Sequence, residues 1–304
     1  MITRRGFVRA TVGGVILPGM VQPAPLNADF TKSICSIIFP ADQPIEASFG
    51  QAKAAGFDAM ELRIGRDVPL NSADPDLRKI ADAARQSGIA IATLWVSEPL
   101  HENPLNHDSA EVRARGVAAI NRSVEIATAL NCGALLLYPG RLGNGAKLDV
   151  GYELTWERFT AELKKCIPAA ARARVYLNPE NVWNKFLVSP LEMRAFVDQF
   201  KSPWLQTHFD IGNVMQYGYP QDWILTLGSR IKRVHVKDYK LSARSEQGRF
   251  IDLLAGDVDW KAVMAALVKV GYKGFLSPEI GYDASQPEQL RTVSQQLDRI
   301  ISMA

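Results

Sequence analysis

Four polar side chains follow four successive apolar runs in the second half of the chain, at or near the points where short buried strands would end. They are Glu180, Asp210, His235 and Glu279. Three carboxylates and one imidazole form the oxygen-rich donor set that hard divalent cations prefer. If these strands run parallel in a barrel, their carboxyl ends meet at one mouth, and the four side chains can surround one ion.

Such a site needs a scaffold, and the rest of the sequence indicates which one. Short apolar runs alternate with stretches of helical periodicity, which predicts βα units and a parallel sheet. The predicted strands are 34–39, 59–64, 89–95, 134–138, 175–178, 205–209, 231–236 and 275–277. The predicted helices are 45–55, 77–87, 110–130, 154–171, 190–200, 223–227, 260–270 and 287–301. Eight strands, each followed by a helix, are what a single (β/α)8 barrel, or TIM barrel, requires.

The first 28 residues differ from the rest. Arg4 and Arg5 stand together, Phe7 follows, and an apolar stretch runs from Ala10 to Met20. This pattern resembles a twin-arginine export signal and predicts a periplasmic protein. We therefore expect one barrel domain over residues 29–304, without a stable membrane span in the mature form, because the apolar stretch is too short to cross a bilayer.

Charge and cysteine content narrow the function classes. The chain has 35 basic and 32 acidic residues. Removing the three arginines of the first 28 residues leaves equal numbers of each, so the domain has no overall attraction to nucleic acid. Cys35, Cys132 and Cys166 do not have the spacing of a metal or redox motif, and we expect them to be buried apolar side chains. The alternative is one disulfide and one free thiol.

The long predicted loops lie at the same end of the barrel as the ligand candidates. They cover residues 97–109, 139–152 and 239–258, and each follows a predicted strand. Loops at the carboxyl ends of barrel strands build the active sites of TIM barrels. Two features of the sequence therefore place the chemistry on one face.

The donor set also suggests a reaction. A divalent ion can hold a ketose through its carbonyl and neighbouring hydroxyl oxygens and stabilise the enediolate that forms when a proton leaves. Glu180 and Glu279, on the first and last ligand strands, could flank the reacting carbon from opposite faces. Removal of a proton by one and its return by the other gives epimerisation, whereas return to the adjacent carbon gives isomerisation.

Six further side chains are candidates for substrate contact because they lie beside the ligands or at a strand end: Trp183, Lys185, His208, Asn213, Lys237 and Arg141. His208 would point to the same side of its strand as Asp210, but packing inside the barrel is the alternative. Lys237 could instead pair with Asp238. Arg63, Glu98 and His101 are weaker candidates, and Arg63 could instead pair with Glu61.

Five ordered segments resemble the xylose-isomerase-like TIM-barrel superfamily and, within it, the sugar phosphate isomerase/epimerase family. They are 180–186, 210–213, 235–238, 256–260 and 274–279. The resemblance covers roughly residues 30–302. It implies metal ligands at Glu180, Asp210, His235 and Glu279, with the acid/base pair on the two glutamates. Asn213 and Arg233 stand where the tagatose-epimerase branch has histidines, which bears on the substrate and not on the metal.

The sequence therefore predicts a sugar isomerase or epimerase with one divalent metal ion (Mn, Mg, Co or Zn) and a small carbohydrate as its partner. Export favours an unphosphorylated sugar. Two alternatives stay open: a metal-dependent lyase or hydratase acting on 3-keto-glycosides, and a non-catalytic sugar-binding barrel. Assembly of the chain into a homo-oligomer is a further open alternative.

Overall fold

The computed structural model of the chain describes residues 30–144, 146–242 and 248–304. Eight parallel strands form one sheet. They are β1 (Phe30–Cys35), β2 (Ala59–Arg63), β3 (Ala90–Trp95), β4 (Ala134–Leu137), β5 (Tyr176–Pro179), β6 (Thr207–Asp210), β7 (Ile231–Val236) and β8 (Gly274–Pro278). Their spatial order is β5-β4-β3-β2-β1-β8-β7-β6. The predicted TIM barrel is confirmed.

The barrel closes between β5 and β6, the two ends of this order. Isolated parallel bridges pair Leu177 with Leu205 and Glu180 with His208. The side chain of Asn181 adds two contacts: its Nδ2 donates to the carbonyl of Asp210 at 2.8 Å, and its Oδ1 accepts from the Asp210 N–H at 2.8 Å. Backbone hydrogen bonds also cross the join, from the Leu177 N–H to the Trp204 carbonyl at 2.7 Å and from the Gln206 N–H to the Leu177 carbonyl at 3.0 Å. The side-chain amide thus supplements a short ladder, and the barrel is nearly closed.

Helices connect the strands. They are α1 (Ile45–Ala54), α2 (Asp74–Ser87), α3 (Ser97–Glu102), α4 (Ala110–Ala129), α5 (Tyr152–Ala173), α6 (Pro190–Asp198), α7 (Ile211–Val214), α8 (Pro220–Leu227), α9 (Trp260–Lys269) and α10 (Gln289–Ile301). The longer ones bury one apolar stripe: α10 buries Val293, Leu297 and Ile300, a spacing of three and four residues that keeps them on one face.

The predicted position of the first strand is wrong. Its apolar run, 34–39, continues past the true strand end at Cys35 into a 3-10 turn over Ser36–Ile38. Strand β1 starts earlier because Phe30 pairs with Gly274 of β8. Ile38 and Phe39 are apolar because they pack into the core, at 4% and 5% exposure, and not because they extend the strand.

The predicted loops are partly ordered into small elements. Helix α3 lies in the loop after β3, and a hairpin of Gly143–Asn144 with Lys147–Leu148 follows β4. Strands Asp238–Lys240 and Arg249–Ile251 form an antiparallel hairpin after β7. These elements give the mouth of the barrel fixed walls.

Three further expectations concern the N-terminal segment, membrane-spanning helices and the cysteines. The proposed export signal, residues 1–28, lies outside the described residues. Within the described part, no helix is long and apolar enough to cross a membrane. All three cysteines are buried and free, and burial raises the pKa of Cys132 to about 11 and that of Cys166 to about 12, as suits small packing side chains.

Candidate active site

Strand register brings the four ligand candidates together at the carboxyl end of the barrel. Asp210 of β6 pairs with His235 of β7, and Glu279 directly follows β8. Atom Nδ1 of His235 lies 3.0 Å from Glu180 Oε1, 3.2 Å from Glu279 Oε2 and 3.6 Å from Asp210 Oδ2. One donor atom from each of the four residues lies within 4.8 Å of the others.

A fourth acidic residue, Glu61 of β2, holds the imidazole from the side opposite the ligand cluster. His235 Nε2 lies 2.8 Å from Glu61 Oε2. The other oxygen of Glu61 accepts hydrogen bonds from Thr93 at 3.1 Å and from Ser277 at 2.8 Å. A carboxylate acceptor at Nε2 favours the tautomer with its proton there, which leaves Nδ1 free to act as a ligand.

Sequence reasoning missed this role of Glu61. The available signal was positional: Glu61 pairs with Cys35 on β1 and with Thr93 on β3, so these side chains share one layer inside the barrel. Arg63, considered as its partner, instead pairs with Glu98 at 2.6 Å. A buried acid within a strand is costly unless it is paired, and that cost itself indicates a partner.

Asp210 and Lys237 meet beside the imidazole. Asp210 Oδ1 accepts from the backbone N–H of Asn213 at 2.7 Å and so caps α7. Asp210 Oδ2 is buried and accepts no hydrogen bond among the described residues, although the Lys237 ammonium lies 3.0 Å away as an ion pair. Lys237 also contacts Glu279, so the alternative pairing of Lys237 with Asp238 is not what forms.

The two glutamates differ in their electrostatic surroundings. Burial raises the pKa of Glu180 to about 7, against the opposing effect of His235. Burial also acts to raise the pKa of Glu279, but the Lys237 ammonium and His235 outweigh it and hold that pKa at about 2. Burial alone would lower the pKa of His235, whereas surrounding acidic groups, including Glu61, raise it well above its usual value.

The donor set fits a divalent cation. Glu61, Glu180, Asp210 and Glu279 supply four carboxyl groups to one buried cluster, against the single ammonium of Lys237 and the imidazole of His235. Oδ2 of Asp210 faces the Lys237 ammonium but accepts no hydrogen bond among the described residues, so it is a buried acceptor that a cation would satisfy. Hard oxygen donors with one imidazole suit Mg²⁺, Mn²⁺, Co²⁺ or Zn²⁺.

A cavity of about 370 Å³ opens above this cluster. Glu180, Glu279, Lys237, Asn213 and Trp183 all line it. Trp183 is 40% exposed, and its indole N–H donates to the carbonyl of Asn213 at 2.8 Å. Its ring stacks on Phe250 of the hairpin after β7, with centroids 5.0 Å apart, so an aromatic wall flanks the cavity.

Three of the sequence candidates lie elsewhere. Lys185 is exposed, has a left-handed backbone (φ 64°) and does not line the cavity. His208 is fully buried in the barrel interior, with its ring 4.0 Å from that of His235, which is the packing alternative left open by the sequence. Arg141 lines a neighbouring cavity.

Two polar groups in the cavity, Trp95 and Ser97, were not singled out from the sequence, whereas Arg63, a weaker candidate, also lines it. The buried atoms Nε of Arg63, Nε1 of Trp95 and Oγ of Ser97 have no hydrogen-bond partner among the described residues. Unpaired buried polar atoms of this kind are available to a ligand. Trp95 ends an apolar strand, and for that reason its sequence context indicates only core packing.

Comparison with known proteins agrees with this architecture. Residues 49–300 match the model of a protein family described as "Xylose isomerase-like TIM barrel". A Haemophilus influenzae protein named for L-ribulose-5-phosphate 3-epimerase activity is 25% identical over 254 residues, which cover 80% of this chain and 85% of that protein. An L-ribulose 3-epimerase of Mesorhizobium japonicum is 28% identical over 244 residues, covering 79% and 76%.

Solved structures show the same fold at lower sequence identity. A D-psicose 3-epimerase crystallised with D-fructose superposes with a TM-score of 0.74 at 16% identity, over 90% of this chain and 97% of that one. A 3-keto-D-glucoside 4-epimerase of E. coli gives a TM-score of 0.72 at 14% identity, over 90% and 99%. At such identities the likeness concerns the fold alone.

Proposed function

The chain belongs to the xylose isomerase-like TIM barrel family, and from this premise we propose that it is a divalent-metal-dependent sugar epimerase that inverts the carbon beside a ketone. The observation that carries the proposal is the convergence of Glu180, Asp210 and Glu279 on Nδ1 of His235. The names of the two curated relatives, both 3-epimerases of ribulose or its phosphate, support it.

In this proposal Glu180, Asp210, His235 and Glu279 hold the cation. A bound cation supplies Lewis acidity, which polarises the ketone and stabilises negative charge on the substrate oxygens. The chain's own groups fix its surroundings: Glu61 orients the imidazole at 2.8 Å, and Lys237 pairs with Asp210 at 3.0 Å.

The two glutamates move the proton. Glu279, with a pKa near 2, is ionised at neutral pH and therefore available to accept the proton from the carbon beside the ketone, whose acidity a bound cation would raise. Glu180, with a pKa of about 7, can carry a proton and return it from the other side. Two carboxyl groups whose surroundings drive their pKa values apart are the usual basis of an acid/base pair. Delivery to the opposite face inverts the carbon.

Solvent exchange tests this function. The purified protein with Mn²⁺ is incubated in D₂O with L-ribulose or D-fructose and followed by NMR. We expect deuterium at C3 together with the C3 epimer, and neither after chelation of the metal. A sugar that binds without exchange would support the non-catalytic barrel, and an elimination product from a 3-keto-glycoside without exchange of ketoses would support the lyase alternative.

The affinity for metal should depend on pH. Glu180 binds a cation more tightly when it is ionised, and burial sets its pKa at about 7. His235 must also be neutral, although its pKa is raised well above the usual value. Protons therefore compete with the metal at low pH, and we expect the association constant to rise about tenfold or more per unit between pH 5 and 7. Calorimetric titration of the stripped protein at several pH values measures this, and a flat profile contradicts it.

Glu61 should act on the metal through His235. Glu61→Gln keeps the shape but removes the negative charge at Nε2, so we expect metal affinity to fall about 10- to 100-fold. Glu162→Gln is the matched control, because Glu162 is also a buried carboxylate but lies on α5 and pairs with Arg113 at 3.1 Å. Equal metal affinity in the two variants would contradict a role of Glu61 in metal binding.

We also propose that the chain is exported to the periplasm through the twin-arginine pathway, which the motif at Arg4 and Arg5 supports. Fusing residues 1–28 to a reporter that is active only after export should give a periplasmic signal. Replacement of both arginines with lysine should abolish it, and an unchanged signal would contradict this route.

A further inference from the structure

A second cavity, of about 300 Å³, adjoins the catalytic cavity. It lies between α3, the end of β4 and the segment that precedes α5. The two cavities share His101 and Tyr138 as lining residues, whose rings are tilted by 49° with centroids 4.5 Å apart. The two spaces are therefore neighbours, with this aromatic pair bordering both.

The second cavity carries polar groups that the protein does not use. Arg141, an exposed residue, lines it, and its guanidinium has no hydrogen bond or ion pair within the described ranges. The side chains of His101 and Tyr138 likewise have no hydrogen-bond partner in the part of the chain that the structure describes. Asp149, also in the lining, carries an acceptor group that is 42% exposed and meets Lys147 at 3.6 Å.

Buried contacts hold this lining in place. Asn106, 2% exposed, donates from Nδ2 to the carbonyl of Arg141 at 3.0 Å and to Thr155 Oγ1 at 3.1 Å. A Cβ at Gly140 would lie 2.5 Å from the Asn106 side chain, so only glycine permits this close approach. The backbone that carries Arg141 is thus fixed before any ligand arrives, which lowers the entropic cost of binding.

The chemistry of the lining favours a sugar ring over a phosphate. An aromatic pair offers apolar faces to the C–H groups of a ring, while Arg141 and Asp149 offer a donor and acceptors to its hydroxyls. A phosphate site would need concentrated positive charge, but Asp149 opposes that of Arg141. Burial and the nearby charge of Arg141 lower the pKa of His101, which keeps its imidazole neutral at pH 7.

We propose that this cavity is a second sugar subsite, and that the substrate is a two-ring glycoside. Its ketose unit lies against Glu180 and Glu279, and its second ring lies beside His101 and Tyr138 within reach of Arg141. The inference rests on the proposed function, because it takes the first cavity to hold the reacting ketose.

Calorimetric titration measures how much the ketose unit and the second ring each contribute to binding. The probes are D-fructose, the ketose disaccharides lactulose and isomaltulose, and D-fructose 6-phosphate, each titrated into the metal-loaded protein. We expect at least one disaccharide to bind tenfold or more tightly than D-fructose. Arg141→Ala and Asp149→Ala, at residues that line only the second cavity, should each remove most of this preference while leaving the affinity for D-fructose unchanged. Arg172→Ala is the control, since Arg172 is an exposed arginine on α5 that lines neither cavity.

The other outcomes overturn the subsite. The subsite is contradicted if D-fructose and the disaccharides bind with equal affinity, or if the variants lose affinity for both kinds of sugar equally. It is also contradicted if D-fructose 6-phosphate binds more tightly than the disaccharides. Deuterium exchange in the same samples distinguishes the two proposals. Exchange without a two-ring preference contradicts the subsite alone, whereas an Arg141-dependent two-ring preference without exchange contradicts the epimerase and leaves the subsite standing.

Discussion

Replacing Glu279 with glutamine is expected to lower turnover by about 10²- to 10⁴-fold, because the amide cannot accept the substrate proton. The variant keeps one oxygen in place of the carboxylate, so part of the bound metal should remain. The pKa of the Glu279 carboxyl, near 2, means that the wild-type group is ionised throughout the neutral range. Deuterium exchange at C3 measures the loss, and elemental analysis measures the metal in the same preparation.

The interpretation of that result depends on a control and on a second variant. Glu288→Gln removes an exposed carboxylate paired with Arg291 and should leave exchange unchanged. Glu180→Gln should also abolish epimerisation, since either glutamate alone serves only one face of the carbon. Full activity of the Glu279→Gln variant would show that another group removes the proton.

Replacing Asp210 with alanine is expected to remove the metal itself. The variant loses a proposed ligand that is wholly buried and whose Oδ2 accepts no hydrogen bond among the described residues. We expect affinity to fall by more than about 100-fold, since even residues that only support a ligand contribute 10- to 100-fold. Elemental analysis beside the wild type and Glu180→Gln measures the effect, and equal metal content in all three would contradict the proposed ligation.

Asp210 also caps α7, and a matched variant separates that role from metal binding. Asp259 caps α9 by accepting from the backbone N–H of Ala262 at 3.0 Å. Both Asp259→Ala and Asp210→Ala should cost about 1 kcal/mol in helix capping, but only the second should lose metal. Loss of metal in both would point to general destabilisation.

The ligand candidates could be predicted because each is a polar residue at the end of an apolar strand. Parallel strands in a barrel bring such ends to one face, and in the structure Glu180, Asp210, His235 and Glu279 do lie together. The eightfold alternation of strands and helices was equally visible, since every barrel strand contributes buried apolar residues to the core. Local sequence thus determined the architecture and this cluster.

Features that depend on packing between distant segments could not be predicted. Glu61 lies 174 residues from His235 along the chain, and strand register alone makes them neighbours. Trp95 has the sequence context of a core residue, yet its indole nitrogen faces no protein partner among the described residues. The end of β1 depends on its pairing with β2 and β8, whereas the apolar run continues past it. His208 is a similar case. The alternation of side chains along a strand predicts that it points to the same side as Asp210, but not that it is fully buried in the barrel interior.

The join between β5 and β6 links the integrity of the fold to its chemistry. Glu180 and Asp210 emerge on either side of the place where isolated bridges and the Asn181 amide close the ring. An ion shared by these two carboxylates would act as a clasp across the least regular part of the cylinder. Thermal stability and catalytic activity would then depend on the same ion. Removing it would make β5 and β6 easier to separate and would also abolish activity.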